Sequence, residues 1–220
     1  MWALQFRRWR WKRRGSAAQE LRDAWGELPS RRASVSDVDF LVCDAEMSGL
    51  DPAAAELLSL GWVRVRNREV QLGSAEHHLI RNRASVGQSA TVHRLRDCEL
   101  HDGGSLHEAM AALLRAARGA VLVFHNARLD MAFLNRASKQ VFGAPLLMPV
   151  IDTLAIEQRL MQRRDQTPVQ GALRLQACRD RYGLEAHDAH NALADALATA
   201  ELLLGHIAAR GSGLRLSDLH

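Results

Sequence analysis

The chain has 220 residues, 47% hydrophobic and 25% charged, enough for one sizeable α/β domain plus an appendage but short for two full domains. Its net charge of +4 is concentrated: residues 1–14 carry six cations and no acid, so residues 15–220 sum to −2 and offer no broad cationic face for long duplexes. The widely spaced Cys43, Cys98 and Cys178 exclude a disulfide framework or structural zinc, no apolar run approaches the roughly 20 residues of a membrane span, and the basic N-terminus lacks a secretory core; a cytoplasmic protein is expected.

Residues 1–36 read as a basic, tryptophan-bearing extension. In MWALQFRRWRWKRR, Trp2, Phe6 and Trp9 recur at i, i+4 and i+7 with arginines between them, so a helix here is amphipathic. Three uses stand open: packing its aromatic face on the main domain, lying on an anionic membrane surface, or docking single-stranded nucleic acid or a partner protein. A short helical pattern follows at Ala17, Leu21, Ala24 and Trp25, then a breaker at Pro29-Ser30-Arg31-Arg32. From Val38 short apolar runs alternate with longer amphipathic ones, the pattern of a sheet layered with helices. Residues 37–209 are therefore expected to form the main domain, with 210–220 as a tail.

Within it, Phe40 to Cys43 is wholly apolar, as in a central strand covered on both faces. Leu57–Val65 and Glu69–Leu79 alternate in part, and the break at Arg66-Asn67-Arg68 predicts a hairpin. A helix is predicted over Leu106–Ala117, stopped by Gly119, then a buried strand over Ala120–Phe124 and a helix over Leu129–Val141. A short strand ends at Ile151, and Asp152 or Thr153 can cap the helix after it. The last predicted helices are Leu173–Tyr182 and Asn191–Leu204, with Gly183 and Gly205 just past their ends.

Acidic residues mark the ends of these elements. Asp44 and Glu46 directly follow the first buried strand, and a two-residue step points both carboxylates to one face. Met47-Ser48-Gly49-Leu50 then breaks the pattern and lets a substrate approach the chain. Asp130 falls in the first turn of a helix, after the polar turn His125-Asn126-Ala127-Arg128. His190 precedes Asp195 by five residues, a turn of about 140° on a helix, so His190 belongs at the helix entry and Asp195 within it. Each piece alone has a bland reading as a solvated acid, a helix-dipole acid or a surface histidine. Together, four converging carboxylates would repel one another unless cations neutralised them, and all-oxygen ligands suit magnesium or manganese better than zinc. Two such ions about 4 Å apart would stabilise both oxygens of a phosphodiester displacement.

Asp-x-Glu, then His-Asn-x₃-Asp, then His-x₄-Asp resembles the DEDDh branch of the proofreading-type 3′–5′ exonucleases. Further matches run through residues 38–205, at Leu57-Leu58-Ser59-Leu60-Gly61, Val92-His93-Arg94-Leu95 and Ile151-Asp152-Thr153-Leu154. The resemblance implies a ribonuclease H-like fold, a mixed five-stranded sheet flanked by helices. It implies a metal-dependent exonuclease that releases nucleoside 5′-monophosphates from 3′ ends of single-stranded DNA or RNA. Asp44, Glu46, Asp130 and Asp195 would hold two Mg²⁺ or Mn²⁺ ions, with His190 as general base. Met47, Ser48, Gly49, Leu50, His93, Asn126 and Phe133 would contact substrate. Met47-Ser48 departs from the Thr-Thr of proofreading subunits, and Asp44 to Pro52 instead resembles the first motif of oligoribonucleases. A catalytically silent binding module of the same fold is the competing reading; none of the five catalytic positions has been lost.

Overall fold

The computed structural model describes residues 2–15, 17–26, 28–81, 101–188, 191–211 and 213–219. Its strands are β1 (Asp39–Met47), β2 (Leu57–Arg66), β3 (Glu69–Leu79), β4 (Ala120–Phe124) and β5 (Val150–Asp152). They form one five-stranded sheet of order β3-β2-β1-β4-β5. β1–β2 and β2–β3 are antiparallel, whereas β1–β4 and β4–β5 are parallel, so the sheet is mixed. Asn67 and Arg68, with φ of 53° and 62°, make the left-handed two-residue turn that the strand twist favours in a hairpin.

Seven helices flank the sheet among the described residues: α1 (Trp2–Arg14), α2 (Gln19–Gly26), α3 (Leu106–Ala117), α4 (Ala127–Phe142), α5 (Thr153–Arg163), α6 (Leu175–Asp180) and α7 (Ala192–Arg210). The alternation along β1 decides which layer meets which face. Leu41, Cys43, Ala45 and Met47 join the core formed with α2, α3 and α4. Phe40 and Val42 point the other way, into a core with Ile156 of α5 and Ala200, Leu203 and Ile207 of α7. Each fully buried large side chain contributes about 1.5–3 kcal/mol, so both faces are held strongly. Asp44 and Glu46 continue the second face, which is the face that α7 covers.

Several boundaries differ from the sequence expectation. The first strand does not stop at Cys43 but runs through Met47, because β2 pairs with it as far as Leu57. Asp44 and Glu46 are thus strand residues, and the two-residue step that puts both on one face holds. α4 begins at Ala127, two residues early, and α6 covers only Leu175–Asp180. Gly205 does not end the last helix, which continues to Arg210. An added Cβ there would stand 3.2 Å from the Tyr182 ring, so the glycine serves helix-to-loop packing. At 19 residues α7 is long and apolar enough to cross a membrane, which the sequence reading had excluded for every segment. Half of it is buried and it lies across β1, β2 and β3, so it is a core helix.

The N-terminal arm is helical, but a different face packs. Leu4 and Trp11 lie against the core, and Arg8 between them donates from Nε to the Leu147 carbonyl at 2.8 Å. Phe6 and Trp9 remain 57% and 48% exposed. They stack on each other at 5.7 Å, with the Arg13 guanidinium 4.4 Å from the Trp9 ring centre. The residues that pack, Leu4, Arg8 and Trp11, are thus not the aromatic stripe read from the sequence, of which Phe6 and Trp9 face outward. α2 is bound more tightly: Trp25 donates from Nε1 to the Leu146 carbonyl at 2.6 Å. Leu216 and Leu219 of the tail also join the core, and Leu216 N–H donates to the Ala33 carbonyl at 3.0 Å.

Candidate active site

Asp44 faces Gly61 across the β1–β2 ladder. The start of α7 rests on that glycine: a Cβ on Gly61 would lie 2.3 Å from Leu193 N and 2.4 Å from the Ala192 carbonyl carbon. Asn191 caps the helix there, its Oδ1 accepting from Leu193 N at 3.1 Å and Ala194 N at 3.2 Å. Asp195, in the first turn, is thereby lowered onto the face that carries Asp44 and Glu46. One oxygen from each of Asp44, Glu46 and Asp195 lies within 4.8 Å of the others.

Asp130 arrives from the opposite layer, in the first turn of α4. β4 pairs with β1 only as far as Val42, so the backbone beyond is free on that side, and the Ala45 N–H donates to the Asp130 carboxylate. Asp130 thus abuts the cluster without entering the group of three. Burial, then the charges of Asp130, Asp195 and Glu46, push the Asp44 carboxyl well above its ordinary range. Burial likewise pushes Asp130 up to about 7, against the backbone donors and with Glu46 and Asp152 adding to the rise. These are carboxylates short of positive charge. The donor set is all oxygen and fits a hard divalent cation.

Asp152 organises the approach to the site. Its Oδ1 accepts from Asn126 N at 2.9 Å and Leu154 N at 3.0 Å, and its Oδ2 from Ala127 N at 3.2 Å. One carboxylate thus caps both α4 and α5, leaving the Asn126 side chain, on a backbone with φ of 74°, without a capping bond. All four acids line one cavity of about 1060 Å³.

The sequence profile of the RNase T exonuclease family matches residues 41–203. The chain belongs to this DEDDh-type 3′–5′ exonuclease family. The exonuclease is 28% identical to DNA polymerase III subunit epsilon of Treponema pallidum, over 78% of this chain and 77% of that one. It is 29% identical to the PolC-type DNA polymerase III of Thermotoga petrophila, over 78% of this chain but only 12% of that relative's length. Among solved structures it is similar to E. coli Exonuclease I bound to a dA16 oligonucleotide, with a TM-score of 0.66 and 17% identity, covering 82% of this chain and 42% of that one. Exonuclease X in complex with 5′-overhanging duplex DNA gives a TM-score of 0.57 at 20% identity, covering 82% and 98%. Likeness at those identities establishes the ribonuclease H-like fold.

Of the residues expected to meet substrate in this exonuclease, Met47, Gly49, Leu50 and Asn126 line the cavity. Ser48 is engaged otherwise: its Oγ accepts from Glu56 N–H, and its own N–H donates to the Glu56 carbonyl, both at 2.9 Å, closing the loop after β1. Phe133 is 2% exposed and lines a separate cavity of about 190 Å³. Its place on α4, three residues past Asp130, turns it into the core. His93 and His190 lie outside the described residues.

Two contributors escaped the sequence reading. The segment 168–174 forms one wall, with Val169 75% exposed at the rim and Arg174 beside it. It is tied down by His125, whose Nε2–H donates to the Leu173 carbonyl at 2.8 Å while Nδ1 lies 2.9 Å from the Thr153 hydroxyl. Burial lowers the His125 pKa, in keeping with a neutral ring. The second is His187, whose Nε2 lies 2.7 Å from Asp195 Oδ1. Only its nearness in sequence to His190 could have signalled it.

Proposed function

We propose that the chain hydrolyses the terminal phosphodiester bond at the 3′ end of single-stranded DNA, releasing nucleoside 5′-monophosphates, with Mg²⁺ or Mn²⁺ as the working ions. The observation that carries this is the meeting of Asp44, Glu46 and Asp195 within 4.8 Å, with the Asp44 carboxyl pushed upward by burial and by its acidic neighbours. Those three and Asp130 would hold two cations, which when bound supply the positive charge that neutralises the acids and polarises the scissile phosphate. His190 takes the proton of the attacking water, a task that suits an imidazole because its ordinary pKa lies near neutrality. Leu50 and Val169, both exposed at the rim, offer apolar surface to the terminal base, and Arg174 offers charge to a phosphate. The DNA assignment follows from relatives named as DNA polymerase III subunits and from the oligonucleotide in the Exonuclease I complex.

Residues 37–209 are, in this reading, the catalytic unit of a cytoplasmic enzyme. The arm α1 steadies the strand upstream of its 3′ end, through the exposed Phe6 and Trp9 and the arginines beside them.

The test is a 5′-labelled single-stranded oligonucleotide incubated with the protein and either cation. A ladder shortening from the 3′ end is expected, abolished by a chelator. Asp44→Ala should lower the rate by at least about 10³-fold, roughly 4 kcal/mol of barrier, while its circular dichroism stays native. Full activity in that variant, or intact substrate with both cations, overturns the proposal. Faster loss of an RNA oligonucleotide reassigns the sugar.

A further inference from the structure

Asp195 reaches the cluster from a different element than its two acidic neighbours. Asp44 and Glu46 sit on a central strand held on both faces, whereas Asp195 hangs from the first turn of a helix and meets their negative charge. A carboxylate on two soft torsions keeps one orientation against that repulsion only through its contacts.

His187, in the segment between α6 and α7, supplies the hold. Its Nε2 lies 2.7 Å from Asp195 Oδ1, with the side chains only 13% and 15% exposed. Its Nδ1 lies 2.9 Å from Gln176 Oε1. The Gln176 amide is fixed in turn, because its Nε2 donates to Asp180 Oδ1 at 2.7 Å and so turns Oε1 toward the ring. The imidazole is thus clamped between a side-chain carbonyl anchored on α6 and the Asp195 carboxylate. Its contact with Asp195 lies largely out of water, where solvent screens it less than it would an exposed pair.

We propose that His187 is a positioning residue, which keeps the Asp195 carboxylate in the Asp44–Glu46 cluster before a cation arrives. This rests on the metal-dependent reading given above. Gln176 acts one step further back, by orienting the ring. Hydrogen-bond partners of ligating groups typically change metal affinity by about 10–100-fold when removed, which sets the size of the effect.

The deciding measurement is Mn²⁺ binding to the full chain without nucleic acid, followed by the paramagnetic resonance of the free ion. His187→Ala should bind Mn²⁺ about 10–100-fold more weakly than the parent. Gln176→Leu should weaken binding by less, and His187→Gln, which keeps an N–H donor, should recover part of the loss. At saturating Mn²⁺ the nuclease kcat of His187→Ala should return to near the parent value, with the half-saturating Mn²⁺ concentration raised. A ring serving only packing would lower the melting temperature and leave Mn²⁺ affinity alone. Unchanged affinity overturns the proposal, and tighter binding overturns it by showing that His187 blocks the cation. A kcat that stays depressed at saturation overturns it by giving His187 a part in the chemistry. Failure of the parent chain to bind Mn²⁺ overturns the metal-dependent reading, and this proposal with it.

Discussion

His206 on α7 is buried with no charge of its own to spend, and its surroundings keep it that way. Its Nδ1–H donates to the Tyr182 hydroxyl at 2.9 Å, and that hydroxyl donates to Glu157 Oε1 at 3.0 Å. Nε2 is buried without a hydrogen bond, which costs least when it carries no proton. Glu157 Oε1 also stands 3.5 Å from Nδ1, an approach that would favour the charged ring. That carboxylate is already engaged by Arg181 at 2.6 Å, and burial and the nearby Arg210 dominate. The result is a pKa lowered to about 3. Between that value and the ordinary 6.5 the unfolded chain binds a proton that the folded chain refuses. The stability this group contributes is therefore complete above about pH 6.5 and is lost as pH falls toward 3. Urea unfolding at pH 7 and pH 5 should show the parent losing about 2 kcal/mol more than His206→Gln across that interval. Equal losses would mean that the ring is protonated in the fold.

At the scale of elements, the clustered acids meet because α7 can touch the sheet, and it can do so because residue 61 has no side chain. Gly61→Ala would drive a methyl group into the Leu193 and Ala192 backbone, which cannot yield as a flexible side chain would. The helix start must lift, carrying Asp195 away from Asp44. A loss of about 3 kcal/mol or more is expected in chemical denaturation. Nuclease activity should fall even where the fold persists; a variant with both intact would show that α7 is not seated on Gly61. The glycine was legible as part of a family-like segment, yet its role was not, since that role depends on a helix some 130 residues later in the chain. The hairpin and the strands β1 to β4 were legible because partial alternation, unbroken apolar runs and turn residues act locally. Gly205 misled for the opposite reason: a local stop signal was overridden by packing against Tyr182. The rim segment 168–174 has no period to read, so only the folded chain places it beside the acids.

The whole molecule divides its charge between a basic helix and a body that sums to −2 while concentrating acids in one cavity. Such a body attracts cations readily and polyanions poorly, so binding of a long strand gains from positive charge beyond that of Arg174. α1 is the segment that has it. Arg8 is committed to the Leu147 carbonyl, but Arg7, Arg10, Arg13 and Arg14 are exposed. Trp9 stacks against Phe6 and meets the Arg13 guanidinium at its ring, a cation–π contact that still lets the cation's N–H groups meet a phosphate. Replacing those four arginines with alanine keeps Leu4, Arg8 and Trp11, so the arm should stay docked. Each charge that meets a phosphate of a single strand contributes about 0.7 to the slope of log K against log salt, so the slope should flatten by up to about 3. Affinity should fall most at low salt, and the fall should be larger for long single strands than for a dinucleotide, which offers few phosphates. An unaltered slope on long single strands would detach the arm from nucleic acid and direct it to a protein or lipid surface.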